Sequence, residues 1–184
     1  MEKALVENIM PLFFSERTRR DTQGRVIDVR RGVSLRDLTK IFRNTRAFMA
    51  FLLTAMRRLK KVGFTLKVYQ IDEWFVTAVP LHKLPSPLTD EEAFVLALIV
   101  TLAESADLTV RTVEEEIEDL RIKHLQTRKI IENLLSRGLL QRTSSNPMRV
   151  QVSGLFYVEF SQEDEIKMKS LFQYHFLLGR QQNE

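Results

Sequence analysis

The chain has 184 residues, 44% hydrophobic and 28% charged, with six glycines and five prolines. That composition fits a globular, helix-leaning protein and excludes a disordered or fibrous one. It has no cysteine, which excludes disulfides, thiolate chemistry and cysteine-based zinc sites and fits a reducing compartment. The formal charge of +4 is unevenly spread: residues 1–80 hold 16 Lys/Arg against 8 Asp/Glu, and residues 81–184 hold 12 against 16. A net of +8 joined to a net of −4 places any bound polyanion on the first half.

The opening stretch MEKALVENIMPLFF lacks the basic start and apolar run of a signal peptide. The most apolar stretch, residues 93–102, is far short of the roughly 20 residues that span a bilayer. A soluble intracellular protein is expected, cytoplasmic or in the nucleoid or nucleus, with no membrane span.

In chain order, residues 4–14 read as a first helix. Residues 15–32 form an insertion with Arg17, Arg19, Arg20, Arg25, Arg30 and Arg31; it is either partly disordered or adds a strand over residues 25–30. A second helix is expected over 34–42, capped by Ser34. A long third helix is expected over 45–62, with Phe48, Phe51, Leu52, Ala55, Met56 and Leu59 as its apolar stripe. Gly63 ends that helix, residues 64–69 alternate like a strand, 70–73 form a wing tip, and 74–79 return.

Pro80, Pro85 and Pro87 then break the pattern. The expected organisation is a first domain over 1–80, a Pro-rich linker over 81–87, a second domain over 88–160, and a C-terminal helix and tail over 161–184. The second domain opens with Thr89 and Glu92 at the spacing of a capping box, followed by a heavily buried helix to about residue 105. A shorter helix over 109–121, capped by Thr109 or Thr112, and another over 125–136 follow. Gly138 sits where a left-handed C-cap is wanted. Residues 139–143 and 148–152 then flank a turn at 144–147, ahead of an apolar stretch at 155–160. Three helices followed by a β-hairpin, twice over, is the winged-helix order, so the fold expected is α+β, mainly α with small β-wings. The tail carries an amphipathic pattern over 163–178.

Catalytic constellations are missing from the pattern. His82, His124 and His175 lie far apart without ligand spacing, and no glycine run matches a phosphate-binding loop. The acidic run over 114–119 reads as the solvated start of a helix. No enzyme, no metal and no cofactor is expected. Polyanion chemistry has more behind it. The third helix of a winged helix enters the major groove; in the first half it opens with Arg43 and Arg46 and ends in Arg57 and Arg58, and with the arginines of the insertion these are the candidate DNA contacts. In the second half it opens with His124, Gln126, Thr127, Arg128 and Lys129, on an acidic background that opposes phosphate.

The run LKKVGFTLKVY over 59–69, the return WFVT over 74–77 and the helix LTDEEAFVLALIV over 88–100 resemble the kite-type accessory subunits of SMC complexes. That group includes bacterial ScpB and eukaryotic MAGE-domain proteins, and the resemblance covers about residues 34–160. It implies dimerisation through the first domain, as a homodimer or with a similar subunit, binding of a kleisin segment, and DNA contact in some members. Chromosome segregation or DNA repair is the setting it implies. A kleisin peptide would lie in an apolar groove for which Phe94, Leu98, Leu155, Phe156 and Tyr157 are the candidates. Two other functions fit tandem winged helices: a transcription regulator with a palindromic operator, and an adaptor of the ESCRT-II type.

Overall fold

The computed structural model describes residues 7–42, 44–81, 88–103, 108–120, 122 and 125–170. By its contacts the chain divides into two compact units, Met1–Arg17 with Arg30–Ser86, and Thr18–Val29 with Pro87–Glu184. The three histidines, Arg43, most of the Pro-rich segment and the tail beyond residue 170 lie outside the described residues.

In the first unit, residues 7–9 are helical and Met10–Phe14 continues as a 3-10 helix containing Pro11. The chain then forms β1 (Glu16–Arg20) and β2 (Val26–Arg31), a separate two-stranded sheet. A two-residue strand β3 (Val33–Ser34) leads into α1 (Leu35–Ile41), whose N-terminus Ser34 caps by accepting from the Asp37 N–H. Helix α2 (Thr45–Lys61) is capped by Asn44, which accepts from the Ala47 N–H. Gly63, at φ +83°, then turns the chain into β4 (Phe64–Gln70) and β5 (Trp74–Pro80). The sheet order is β3-β5-β4, antiparallel, with Val33 opposite Val76 and Val68 opposite the same residue on the other side.

The core of this unit gathers Ile9, Phe13, Leu38, Phe48, Phe51, Ala55, Leu59 and Val76. Its α2 members recur every three or four residues, so one face of that helix is fixed inward. Met56, expected in the same stripe, instead is exposed, because it lies roughly a quarter of a turn from the centre of the face that Phe48, Phe51, Ala55 and Leu59 turn inward. The opposite face of the β4–β5 hairpin is covered too. Tyr69 stacks on Phe75, and its hydroxyl both accepts from the Arg31 N–H and donates to the Arg31 carbonyl, each at 2.7 Å.

The second unit repeats the plan. Helix α3 (Asp90–Leu102) begins with a complete capping box between Thr89 and Glu92 and ends three residues before the expected stop. Val95, Leu96, Leu98, Ile99 and Val100 are all buried, as a central helix requires. Strand β6 (Leu108–Thr109) precedes α4 (Val110–Asp119), with Thr109 as the cap. Helix α5 (Thr127–Ser136) follows, then β7 (Leu140–Ser145) and β8 (Met148–Val152), joined by a turn with a cis Asn146–Pro147 bond. The sheet order β6-β8-β7 matches that of the first unit strand for strand. The apolar stretch after the wing is a short helix, α6 (Phe156–Glu159), and residues 162–170 are helical.

The insertion is an ordered hairpin, and its Thr18–Val29 portion groups with the second unit rather than with the first domain expected from sequence. The physical reason is apolar: Val26 and Val29 of β2 are buried, and Val29 lies against Gly138. At Gly138, φ is +76° and an added Cβ would come within 2.9 Å of both Val29 and Leu155. Only glycine provides both the left-handed turn and the close approach.

Candidate nucleic-acid and partner interfaces

The hairpin arginines, grouped by sequence into one cationic loop, mostly have carboxylate partners. Arg19 pairs with the buried Asp28 at 3.5 Å, and Arg25 with Asp21 at 2.9 Å. Arg30 reaches Asp72 at 2.7 Å and also lies over the Phe75 ring, while Arg31 reaches Glu16 at 2.8 Å. Arg20 donates to the Gly24 carbonyl, closing the turn. Desolvation pushes the Asp72 carboxyl up, but the hydrogen bond from Arg30 and those from the Asp72 and Glu73 N–H groups together bring it below its ordinary value. Neutralised in place, these side chains hold the hairpin and the wing more than they offer charge to a ligand.

A different set keeps its charge. Among the described residues no ion pair involves Arg17, Arg46, Arg57, Arg58, Lys60 or Lys61, and all but the half-buried Arg58 are exposed. Five of the six lie on α2, a helix whose sequence contains no Asp or Glu to satisfy them internally. Arg58, Lys60 and Lys61 fall in its last turn, where the helix dipole favours cations.

In the second unit Lys129 and Arg149 are exposed without an ion pair among the described residues, but other cations are held. Arg128, at the start of α5, is held in a two-pronged pair by Glu114 of α4, at 2.8 and 3.3 Å, and this bond raises its pKa above the ordinary arginine value. Arg111 is paired with Glu115 at 2.7 Å. Both flank an open cleft of about 440 Å³ lined also by Thr109, Val110, Pro147 and Met148. Thr127 is buried and Gln126 and Lys129 are exposed.

Of the five groove candidates, Leu98, Leu155 and Phe156 are fully enclosed. They are core, since a side chain with no exposed surface meets a peptide only if the unit opens. Phe94 is half-buried, and Tyr157 stands 55% exposed with its ring edge-on to Phe156. Burial and then the Glu165 charge raise the Tyr157 phenol above its ordinary pKa, so it remains a neutral donor at physiological pH.

Sequence reasoning missed two features. Glu92 does more than complete its capping box: its carboxylate also takes Arg137 at 2.7 Å and Asn133 at 3.4 Å, joining the start of α3 to the end of α5. The second is a row of exposed apolar side chains on α2, Met49, Leu53 and Met56, legible in the sequence only once the buried face of the helix is known.

Two units with one sheet order, each with its third helix leading into a wing, define a tandem winged-helix protein. Among the described residues no helix is long and apolar enough to cross a membrane. No family model matches the chain, and no curated protein matches it in sequence. The chain is similar to one in a solved structure described as the "Nse1-Nse3-Nse4 complex". The two share 15% identity at a TM-score of 0.47, over 83% of this chain and 87% of that one.

Proposed function

We propose that this chain is a non-catalytic accessory subunit of an SMC–kleisin complex, which binds a kleisin segment and contacts DNA without reading its sequence. The observation that carries the reading is the repetition of one winged-helix topology, β3-β5-β4 and then β6-β8-β7, in a single short chain. Around it stand the residues over 59–69, 74–77 and 88–100 that resemble the kite-type subunits. The unpaired cations of the first unit supply a phosphate-binding surface. The central positions of the exposed α2 face, Met49, Ala50, Leu53, Thr54 and Met56, offer none of the guanidinium or amide groups that read base edges. That favours phosphate contact over an operator and so the SMC reading over a transcription regulator. Pairing with a similar subunit, and work on chromosomes in segregation or repair, follow from the same reading.

For the kleisin, Phe94 and Tyr157 are the accessible members of the candidate set. Crosslinked affinity purification of the tagged chain from its own cells tests this. An SMC ATPase and its kleisin are expected in stoichiometric amounts, with the kleisin depleted in a Phe94→Ala/Tyr157→Ala variant. Recovery of a membrane-sorting complex, or of a transcription complex, with no SMC ATPase would overturn the reading.

A further inference from the structure

The exposed row on α2 has a geometry of its own. Met49 is 50% exposed, Leu53 52% and Met56 42%, whereas Phe48, Phe51, Ala55 and Leu59 hold the other face of the same helix in the core. The row steps by four and then three residues, the spacing of a coiled-coil seam. Extended by one step each way it meets Arg46 and Lys60, with Arg57 on its flank, so that a cation stands at each end of an apolar centre. From Arg46 to Lys60 the seam is about 21 Å long, roughly four helical turns.

From this geometry we infer that α2 docks an amphipathic helix of a partner protein, with large aliphatic side chains in its seam and carboxylates placed against Arg46, Arg57 and Lys60. Burial of exposed Leu and Met side chains supplies the attraction. The charges choose the partner and its register, as flanking charges do in paired helices. Complementarity argues for acid in that partner, because α2 carries no Asp or Glu and none of these three cations has an ion-pair partner among the described residues. A second copy of this chain is a poorer fit. Its acidic helix α4 buries Val113 and Ile117 and exposes charge alone, and the helical residues 162–170 mix Glu163 and Glu165 with Lys167 and Lys169. The inference stands whether or not the partner belongs to an SMC complex.

The test uses the whole chain and two designed helical peptides of about three heptads. Both carry Leu in the seam; one carries Glu at the flanking positions and the other Lys. Fluorescence anisotropy is expected to show the Glu peptide binding at least about tenfold more tightly than the Lys peptide. Binding should be lost in Leu53→Asp, and the preference should reverse in Arg46→Glu/Arg57→Glu/Lys60→Glu. Leu53 is on the surface, so its variant should melt like the parent, and the charge-reversed protein gives a second readout independent of it. Equal binding of the two peptides, or indifference to Leu53→Asp, overturns the inference. It is also overturned if Leu53→Asp abolishes self-association in sedimentation velocity, which would make the seam a contact between copies. Loss of duplex affinity in Leu53→Ala, which adds no charge beside the α2 cations, would assign the seam to DNA.

Discussion

Glu92 sits at a junction of local and tertiary order. One carboxylate accepts from the Thr89 N–H at the helix start and from the side chains of Arg137 and Asn133 at the end of α5. Its side chain is only 10% exposed and that of Arg137 28%, so removing the acid takes away a charge-assisted bond where water replaces it poorly. Loss of a cap contribution costs about 1 kcal/mol, and breaking a well-buried pair about 3–5 kcal/mol. Partial exposure of Arg137 places Glu92→Ala between these, at about 2–4 kcal/mol of destabilisation. Urea unfolding followed by circular dichroism checks it: a lower midpoint with an unchanged slope is expected.

At the scale of elements, carboxylates organise both the wing and the β1–β2 turn. Asp72 holds Arg30 across the first unit, and Asp21 organises the β1–β2 turn by accepting from the Gln23 and Arg25 N–H groups and from the Arg25 side chain. Both carboxyls fall below their ordinary value. A depressed folded-state pKa contributes stability that is complete above the unfolded value and is lost as pH falls through the folded one. The melting temperature should therefore drop as pH is lowered from about 5 toward 3, and Asp72→Asn should lower it at pH 7 while flattening that dependence. Thermal melts across the pH series read both.

The elements themselves were largely legible before the structure. Helical spacing and capping residues marked α1 through α5, because Ser34, Thr89 and Thr109 signal helix starts by local chemistry alone. The strands β3 and β6 escaped, since two-residue strands carry no periodicity. Placement of the insertion escaped as well, because Val26 and Val29 show that the hairpin has an apolar side but not which core receives it. The candidate sites were legible only in composition. Arg17 and Arg19 look alike in sequence, and only the fold brings Asp28 to one of them. Likewise Leu98, Leu155 and Phe156 read equally well as groove or core until burial decides.

On the scale of the whole molecule, α2 alone gathers five cations without ion pairs among the described residues, while in the second unit Lys129 and Arg149 stand exposed without one. Arg111 and Arg128 of the second unit are held by Glu115 and Glu114. A cation already bound to a carboxylate gains little from a phosphate, because one ion pair is exchanged for another. On the proposed reading, polyanion binding therefore falls chiefly to the first unit, where the unpaired cations are most concentrated.

The measurement that tests this most directly is fluorescence anisotropy with random duplexes over a salt series. It compares the parent with Arg17→Ala/Arg57→Ala/Arg58→Ala/Lys61→Ala and with Arg111→Ala/Arg128→Ala. The predicted result is sequence-independent binding that weakens steeply with salt. The first variant should show a log–log slope shallower by about 0.9 for each phosphate it no longer neutralises, and the second should keep the parent slope. No binding at low salt, or an equal weakening in the two variants, would contradict it.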